Sequence, residues 1–434
     1  MTSNDRSIVG LVAVAHAMVH TYELSIPIFM TAWIAEFSVS TREFGLMVGV
    51  GYALFGLGAI PGGVLSDRLG SRGLIAACLA GMGGSFALLS FTSGPWTLTA
   101  AVAAWGVAAS VYHPAGLALI SKGVVQRGRA LALHGMAGNL GIAFGPLLAA
   151  VLLVGLGDWR WAALALALPA AGATAYALSS SFDETAAERA LQGAEDDTSG
   201  DPTSGDPTSG ASAREGSSII TTSRLLFASA FAVVFAIVML SGLYYRGVLT
   251  FLPGLLNDLV AFALPLNLEP GRYVYAGLLM VGMLGQYAGG RLTERYPTEI
   301  CMAAALGLLS VIALAFLPVV RMGTTALLAG SAVLGFFLFL VQPLYQATVA
   351  EYTPSDARGL SYGFTYLGVF GVGAVGAPIA GWLLDVATPF VLFAVLSGIA
   401  GTAALLSAGL VRRARRARKG REQPAASLEA SPDR

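Results

Sequence analysis

Charge is scarce in this 434-residue chain: only 12% of its residues are Asp, Glu, Lys or Arg. A soluble domain carries about twice that fraction. The 25 basic and 25 acidic residues cancel, so no bulk charge invites nucleic acid. Lysine is almost missing, at 2 against 23 arginines. Cysteine is limited to Cys78 and Cys301, both in apolar segments, which reads as buried thiols rather than a disulfide framework. No phosphate-cradling Walker A loop occurs, which argues against direct ATP drive. What the chain has in quantity is apolar surface. It is 56% hydrophobic with a mean hydropathy of +0.71, and its 54 glycines suit helices that approach closely in lipid. This is the composition of a polytopic membrane protein.

Crossing a hydrocarbon core of ~30 Å takes about 20 apolar residues in a helix. Twelve stretches qualify, near 8–35, 44–65, 73–93, 97–120, 130–155, 160–179, 225–256, 273–292, 299–319, 324–350, 359–384 and 388–411. The first is too long for a signal-peptide core and lacks a small-residue cleavage site, so it reads as a retained span. Between the sixth and seventh lies a polar, acidic segment containing "SGDPTSGDPTSG" (Ser199 to Gly210). Such material buries too little apolar area to fold by itself and is expected to be a disordered linker. The expected plan is therefore all-α, with twelve transmembrane helices in two six-helix bundles. Residues 1–180 form the first bundle, 181–223 the linker, 224–411 the second bundle and 412–434 a basic tail.

Arginines assign the sides. With the N-terminus in the cytoplasm, the even-numbered loops hold Arg68, Arg72, Lys122, Arg127, Arg129, Arg291, Arg295 and Arg358, and the tail adds "RRARRARKGR". The opposite side holds Arg42, Arg160, Arg272 and Arg321. Trp33, Trp96, Trp159, Trp161 and Trp382 fall at outer ends, as an aromatic belt would. Both termini and the linker are thus expected in the cytoplasm, in a plasma-membrane protein. The tail serves as a topology anchor or recruits anionic membrane lipid.

The two halves repeat each other. "PGGVLSDRLGSR" (Pro61 to Arg72) aligns with "AGGRLTERYPTE" (Ala288 to Glu299), pairing Gly63 with Gly290, Asp67 with Glu294 and Arg68 with Arg295. "HPAGLALISKGVVQRGRAL" (His113 to Leu131) aligns with "QPLYQATVAEYTPSDARGL" (Gln342 to Leu360), pairing Pro114 with Pro343 and Arg129 with Arg358. Pro27 matches Pro253, and Pro146 matches Pro378. The offset drifts only from 226 to 232 residues across these sites. A parallel duplication of a six-helix unit explains this, and it implies a cavity where the halves meet.

On these motifs the chain, linker apart, resembles the major facilitator superfamily. The loop between spans two and three carries that family's signature as Gly63, Asp67, Arg68, Gly70 and Arg72, with Ser71 where a basic residue is usual. "GNLGIAFGPLLAA" (Gly138 to Ala150) is similar to the packing motif of fifth spans in antiporter members, with Gly141, Gly145 and Pro146 in place and Ala149 and Ala150 replacing its last glycines. The fourth span lacks the arginine of many drug exporters. With the polar first span and "YYRGVLTFLP" (Tyr244 to Pro253), that looks most like the fosmidomycin-resistance type. The resemblance implies that Gly63, Asp67, Arg68, Arg72, Arg129, Gly290, Glu294, Arg295 and Arg358 latch the halves on the inner side, with Asp67 near the start of a helix where its charge is favoured. Solvation and topology are their plainer reading.

One stretch is costly. "VAHAMVHTYELSIPIFMTAW" (Val14 to Trp33) puts His16, His20 and Glu23 inside a span, where an ionised group costs roughly 2.5–3.5 kcal/mol on insertion scales. With Pro27 they fall within an arc of about 60° on a helix. They pack against neighbouring helices or line the cavity and bind substrate or protons. The repeat sets His20 over Arg246, and a desolvated arginine needs a partner, either Glu23 or a substrate anion. His113 overlies Gln342, beside Tyr345 and Gln346; these serve the cavity or the backbone groups freed by the prolines. His134, Asn139, Gln286 and Tyr366 are further candidates. No metal is expected: His16 and His20 have only Glu23 nearby in sequence as a further ligand. No cofactor is implied.

The leading expectation is a secondary transporter that moves a small organic solute by alternating access, with a proton or other ion coupled through His20 and Glu23. Proton-coupled export is the first form and uptake of a small organic anion the second. A sensor or scaffold that kept the fold without transport is a different class. An enzyme is not supported, because no nucleophile–base pair or metal cluster is visible in the sequence.

Overall fold

The computed structural model describes residues 1–190, 219–260, 269–354 and 358–429, except the side chains of Asp67, of 219–220, of 358–359 and of 417–429. Every regular element among the described residues is helical, without a strand. Twelve long helices follow in order: α1 Ser3–Phe37, α2 Thr41–Ser66, α3 Ser71–Leu89, α4 Pro95–Gly123, α5 Arg127–Leu156 and α6 Trp159–Ser179 in the first half. The second half has α7 Phe231–Leu249, α8 Pro270–Arg295, α9 Thr298–Val320, α10 Thr324–Glu351, α11 Leu360–Val386 and α12 Pro389–Glu429. Eleven are long and apolar enough to cross a membrane. The other, α8, has the length at 26 residues, but its tyrosines, glycines and Gln286 dilute its hydropathy.

Helix ends follow local chemistry. Thr2 accepts from the amide of Asp5 at 3.0 Å, and Ser40 and Glu43 form a reciprocal capping box before α2. Gly70 and Gly157, with φ of 80° and 70°, stop the helices ahead of α3 and α6 in a conformation that disfavours other side chains. The span expected over 225–256 is divided: α7 ends at Leu249, and a short helix, Leu252–Leu259, restarts around Pro253. Proline cannot donate to the preceding turn, so the break falls there.

Packing repeats between the halves. In the first, α1 packs on α5, α2 on α4 and α3 on α6; in the second, α7 packs on α11, α8 on α10 and α9 on α12. The halves meet through two related pairs, α2 with α11 and α5 with α8. The central α1 is the most enclosed helix, and α6 and α12 are among the least.

Two expectations need correction at this level. Trp33 and Trp159 do not face outward as belt residues do: both are buried and pack edge to face at 5.9 Å, with the Trp159 indole donating to Glu36. Trp96, Trp161 and Trp382 are exposed as expected. The stretch assigned to the linker begins as part of the first bundle. Asn4 bonds the backbone of Asp183 both ways, at 3.1 and 2.8 Å, and Glu184 accepts from the amides of Ser71 and Arg72 at 2.8 and 3.0 Å. A helix also runs from 219, and residues 191–218 lie outside the described residues. The basic tail continues α12 as helix to Glu429.

Candidate functional site

Pro27 gives α1 a 3₁₀ turn at Ile26–Phe29, and the helix before it turns its ionisable stripe toward α4, α5 and α7. Glu23 is fully buried and Arg246 of α7 is 2% exposed. The Arg246 guanidinium donates to Glu23 Oε1, forming an ion pair across the two halves. It also lies over the ring of Tyr52 from α2, 3.9 Å from its centroid. Arg246 thus leaves the second half to be held by the first. Its Nε has no hydrogen-bond partner among the described residues.

The other oxygen of Glu23 continues the network. Oε2 lies 2.6 Å from Nδ1 of His20, whose Nε2 lies 3.1 Å from Nε2 of His16. Nδ1 of His16 reaches the backbone carbonyl of His134 at 2.7 Å. The His16 and His134 rings stack at 3.9 Å, and His113 of α4 stands edge-on to His16 at 5.4 Å. All four histidines of the chain are therefore in one buried cluster. The sequence put only Glu23 within reach of His16 and His20; folding adds His113, and ring nitrogens of the three lie within 4.8 Å of one another.

The remaining candidates spread around this centre. Gln342 accepts from Gln286 at 2.6 Å inside the second half, while Tyr345 is buried and Gln346 exposed on the same helix. Asn139 is half-buried on α5. Tyr366 packs on His113 at 4.8 Å across the halves. On α5, Gly141 presses against the backbone of Ala17, and Gly145, next to Pro146, against Thr21. Pro378 instead fits against Gly45 and Gly49 of α2, at the interface between halves.

Among the latch candidates whose side chains are described, no hydrogen bond or ion pair crosses between the halves. Arg72 donates to the carbonyls of Ala177 and Leu178, at the end of α6. Glu294 pairs with Arg291 of its own helix at 3.5 Å, and Arg68, Arg129 and Arg295 are exposed. Gly63 faces Pro114, and Gly290 has open space beside it. The side chains of Asp67 and Arg358 lie outside the described residues. Asp67 also falls in the last turn of a helix ending at Leu69, not at the start of one; the carboxylate at the start of α3 is that of Glu184.

Sequence reasoning missed the closure at the end away from the termini. Arg272 pairs with Glu269 at 2.9 Å and donates to Thr31 of α1 at 2.6 Å, and Thr31 also donates to Glu269 at 3.1 Å. Thr41 donates to the carbonyl of Gly381 at 3.0 Å. Nearer the centre, Gly56 and Gly371 bring α2 and α11 into backbone contact. The i, i+3 spacing of Glu269 and Arg272 at the mouth of a span was the available signal.

This duplicated helical architecture fits the match of the chain to the family model for the Major Facilitator Superfamily, over residues 11–375 and 272–432. The chain belongs to the major facilitator superfamily. Among relatives, it is 27% identical over 354 residues to the multidrug resistance protein MdtH of Klebsiella pneumoniae (strain 342), covering 78% of each chain. Among solved structures, it is similar to a bacterial homologue of the human lysosomal transporter Spinster in an inward-facing and occupied conformation, with a TM-score of 0.66 at 14% identity, covering 96% of this chain and 98% of that one. The nucleoside transporter NupG gives 0.71 at 12% identity, covering 94% and 99%. This superfamily member is thus a multi-pass membrane protein of a transporter family, and its fold is that of these neighbours.

Proposed function

We propose that this protein exports a small organic solute across the plasma membrane by alternating access, in exchange for protons, with both termini in the cytoplasm. The observation that carries the reading is the buried Glu23–Arg246 pair, which ties the halves at their centre and continues into His20 and His16. An arginine cannot release its own proton, so the pair opens when Glu23 is protonated or when a substrate anion replaces it. Either event frees α7 from α1 and lets the halves rock. The multidrug name of the MdtH relatives favours export. Arg246 favours a second reading, uptake of a small organic anion that takes the place of Glu23. In both, the loops around Asp67 and Glu294 would latch the halves when the terminal end closes.

The deciding experiment uses proteoliposomes under an imposed pH gradient, with a panel of organic anions and drugs. Wild type should move protons when substrate is added, and Glu23→Gln should abolish that while leaving substrate binding measurable. His20→Ala should weaken it. Coupling unchanged in both variants would overturn the assignment of this network.

A further inference from the structure

The partner of His20 Nδ1 is a carboxylate oxygen of Glu23, and the partner of His16 Nδ1 is the carbonyl oxygen of His134. Both oxygens accept, so both Nδ1 atoms carry hydrogen. In the neutral rings the lone pairs then sit on the two Nε2 atoms, which face each other at 3.1 Å. Two lone pairs so placed repel unless an electropositive centre lies between them, either a proton shared by the two Nε2 atoms or a metal cation. His113 brings a third imidazole, with ligand nitrogens of all three residues within 4.8 Å of one another. It has no hydrogen-bond partner among the described residues and is 5% exposed, against 8% for His16 and for His20.

We propose that His16, His20 and His113 form a binding site for a divalent d-block cation of the zinc type. Two imidazoles on a tetrahedral zinc, each at about 2.0–2.1 Å, hold their nitrogens about 3.3 Å apart. The observed 3.1 Å between the Nε2 atoms is close to that edge, and a turn of the His113 ring completes the third. Neutral imidazoles suit zinc, copper, nickel or cobalt and not magnesium or calcium, which demand oxygen. The bonds from Nδ1 to Glu23 and to the His134 carbonyl are of the kind that orient metal-binding histidines. Three protein ligands leave a fourth position for water or a donor atom of the cargo, beside Tyr366 and Phe370 at 4.8 and 5.7 Å from the His113 ring. The three ligands belong to one half, so the cation rides with that half.

The inference goes beyond the transport reading and is tested without it. The full chain, purified with a tag free of histidine, is titrated with Zn²⁺ by calorimetry and with Co²⁺ by visible absorption. One cation per chain is expected, with the intense d–d bands of four-coordinate cobalt and no thiolate charge-transfer band. His113→Ala and His16→Ala should each weaken binding by more than about 100-fold, beyond what loss of a supporting partner costs. His134→Ala keeps the backbone carbonyl and should stay within about tenfold of wild type. Absence of Zn²⁺ uptake at millimolar concentration, a six-coordinate or thiolate cobalt spectrum, or binding unchanged in His113→Ala would each overturn the proposal. The cobalt spectrum is read on wild type, so it decides even where a variant fails to fold. Loss of transport with cation binding intact would sink the export reading alone.

Discussion

In the first half, α1 and α5 meet with the imidazole of His16 lying over Gly138; a Cβ there would stand 2.5–2.9 Å from three ring atoms. In the second half, the repeat places Gly242 of α7 where α1 has His16, and the backbone of α11 at Val369 fills that space. The same pair of helices closes to a similar depth, with the bulk on opposite partners. Duplication has kept the packing and exchanged the chemistry. A glycine on α5 admits a ring from α1, and the first half collects four imidazoles there. The second half spends its corresponding space on backbone contact, including the π-helical turns of Leu367–Val372, and contributes one cation, Arg246, that reaches across. The offset between halves grows from 229 at Arg129 and Arg358 to 232 at Pro146 and Pro378, and those wider turns absorb part of the added length.

The largest effect expected from breaking this asymmetry is at the shared pair. Glu23→Gln strands Arg246 in a buried setting and should cost about 3–5 kcal/mol, read as a fall in unfolding temperature of the purified protein. Adding Arg246→Met should restore most of it, since the cost lies in the unpaired charge. No rescue would mean that Glu23 acts through His20 instead. Gly138→Ala drives a methyl into His16 and should cost about 1–3 kcal/mol. Gly242→Ala meets backbone rather than a side chain, so its penalty should exceed that of Gly138→Ala in the same denaturation series. Equal penalties would erase the distinction between the two contacts. Arg272→Ala removes the bonds to Glu269 and Thr31 and should release about 1.5–3 kcal/mol from the far-end closure. Its readout is a lowered unfolding temperature of the purified protein; an unaltered one would show the closure to rest on packing alone. Glu184→Ala, which uncaps α3, should cost about 0.5–2 kcal/mol by the same unfolding assay.

How far these features were legible depends on whether local sequence or the meeting of distant segments decides them. Twelve helices and the duplication follow from apolar runs and paired prolines, because spans are set by length and hydropathy. The Glu23–Arg246 juxtaposition was legible as one of two options, since the stripe on α1 and the offset to α7 each point at the axis. The convergence of His113 and His134 was not, because it depends on how α4 and α5 rotate against α1, which no spacing records. Trp33 and Trp159 stand at helix ends like belt residues, and only tertiary contact turns them inward. At the start of α3, Asp67 was the near carboxylate in sequence, whereas Glu184 arrives from more than a hundred residues away.

The last helix, Pro389–Glu429, runs 41 residues and has Pro424 near its end. At 1.5 Å per residue it extends about 60 Å, twice the depth of the hydrocarbon core. Its apolar part is anchored on α9 within the second half, and the remainder continues that same helix. A rocking of a few degrees at the axis becomes a displacement of several ångströms at the tip, by simple leverage. If the halves rock as proposed above, a dye placed near Glu429 would see that rocking as motion, without touching the buried Glu23–Arg246 pair.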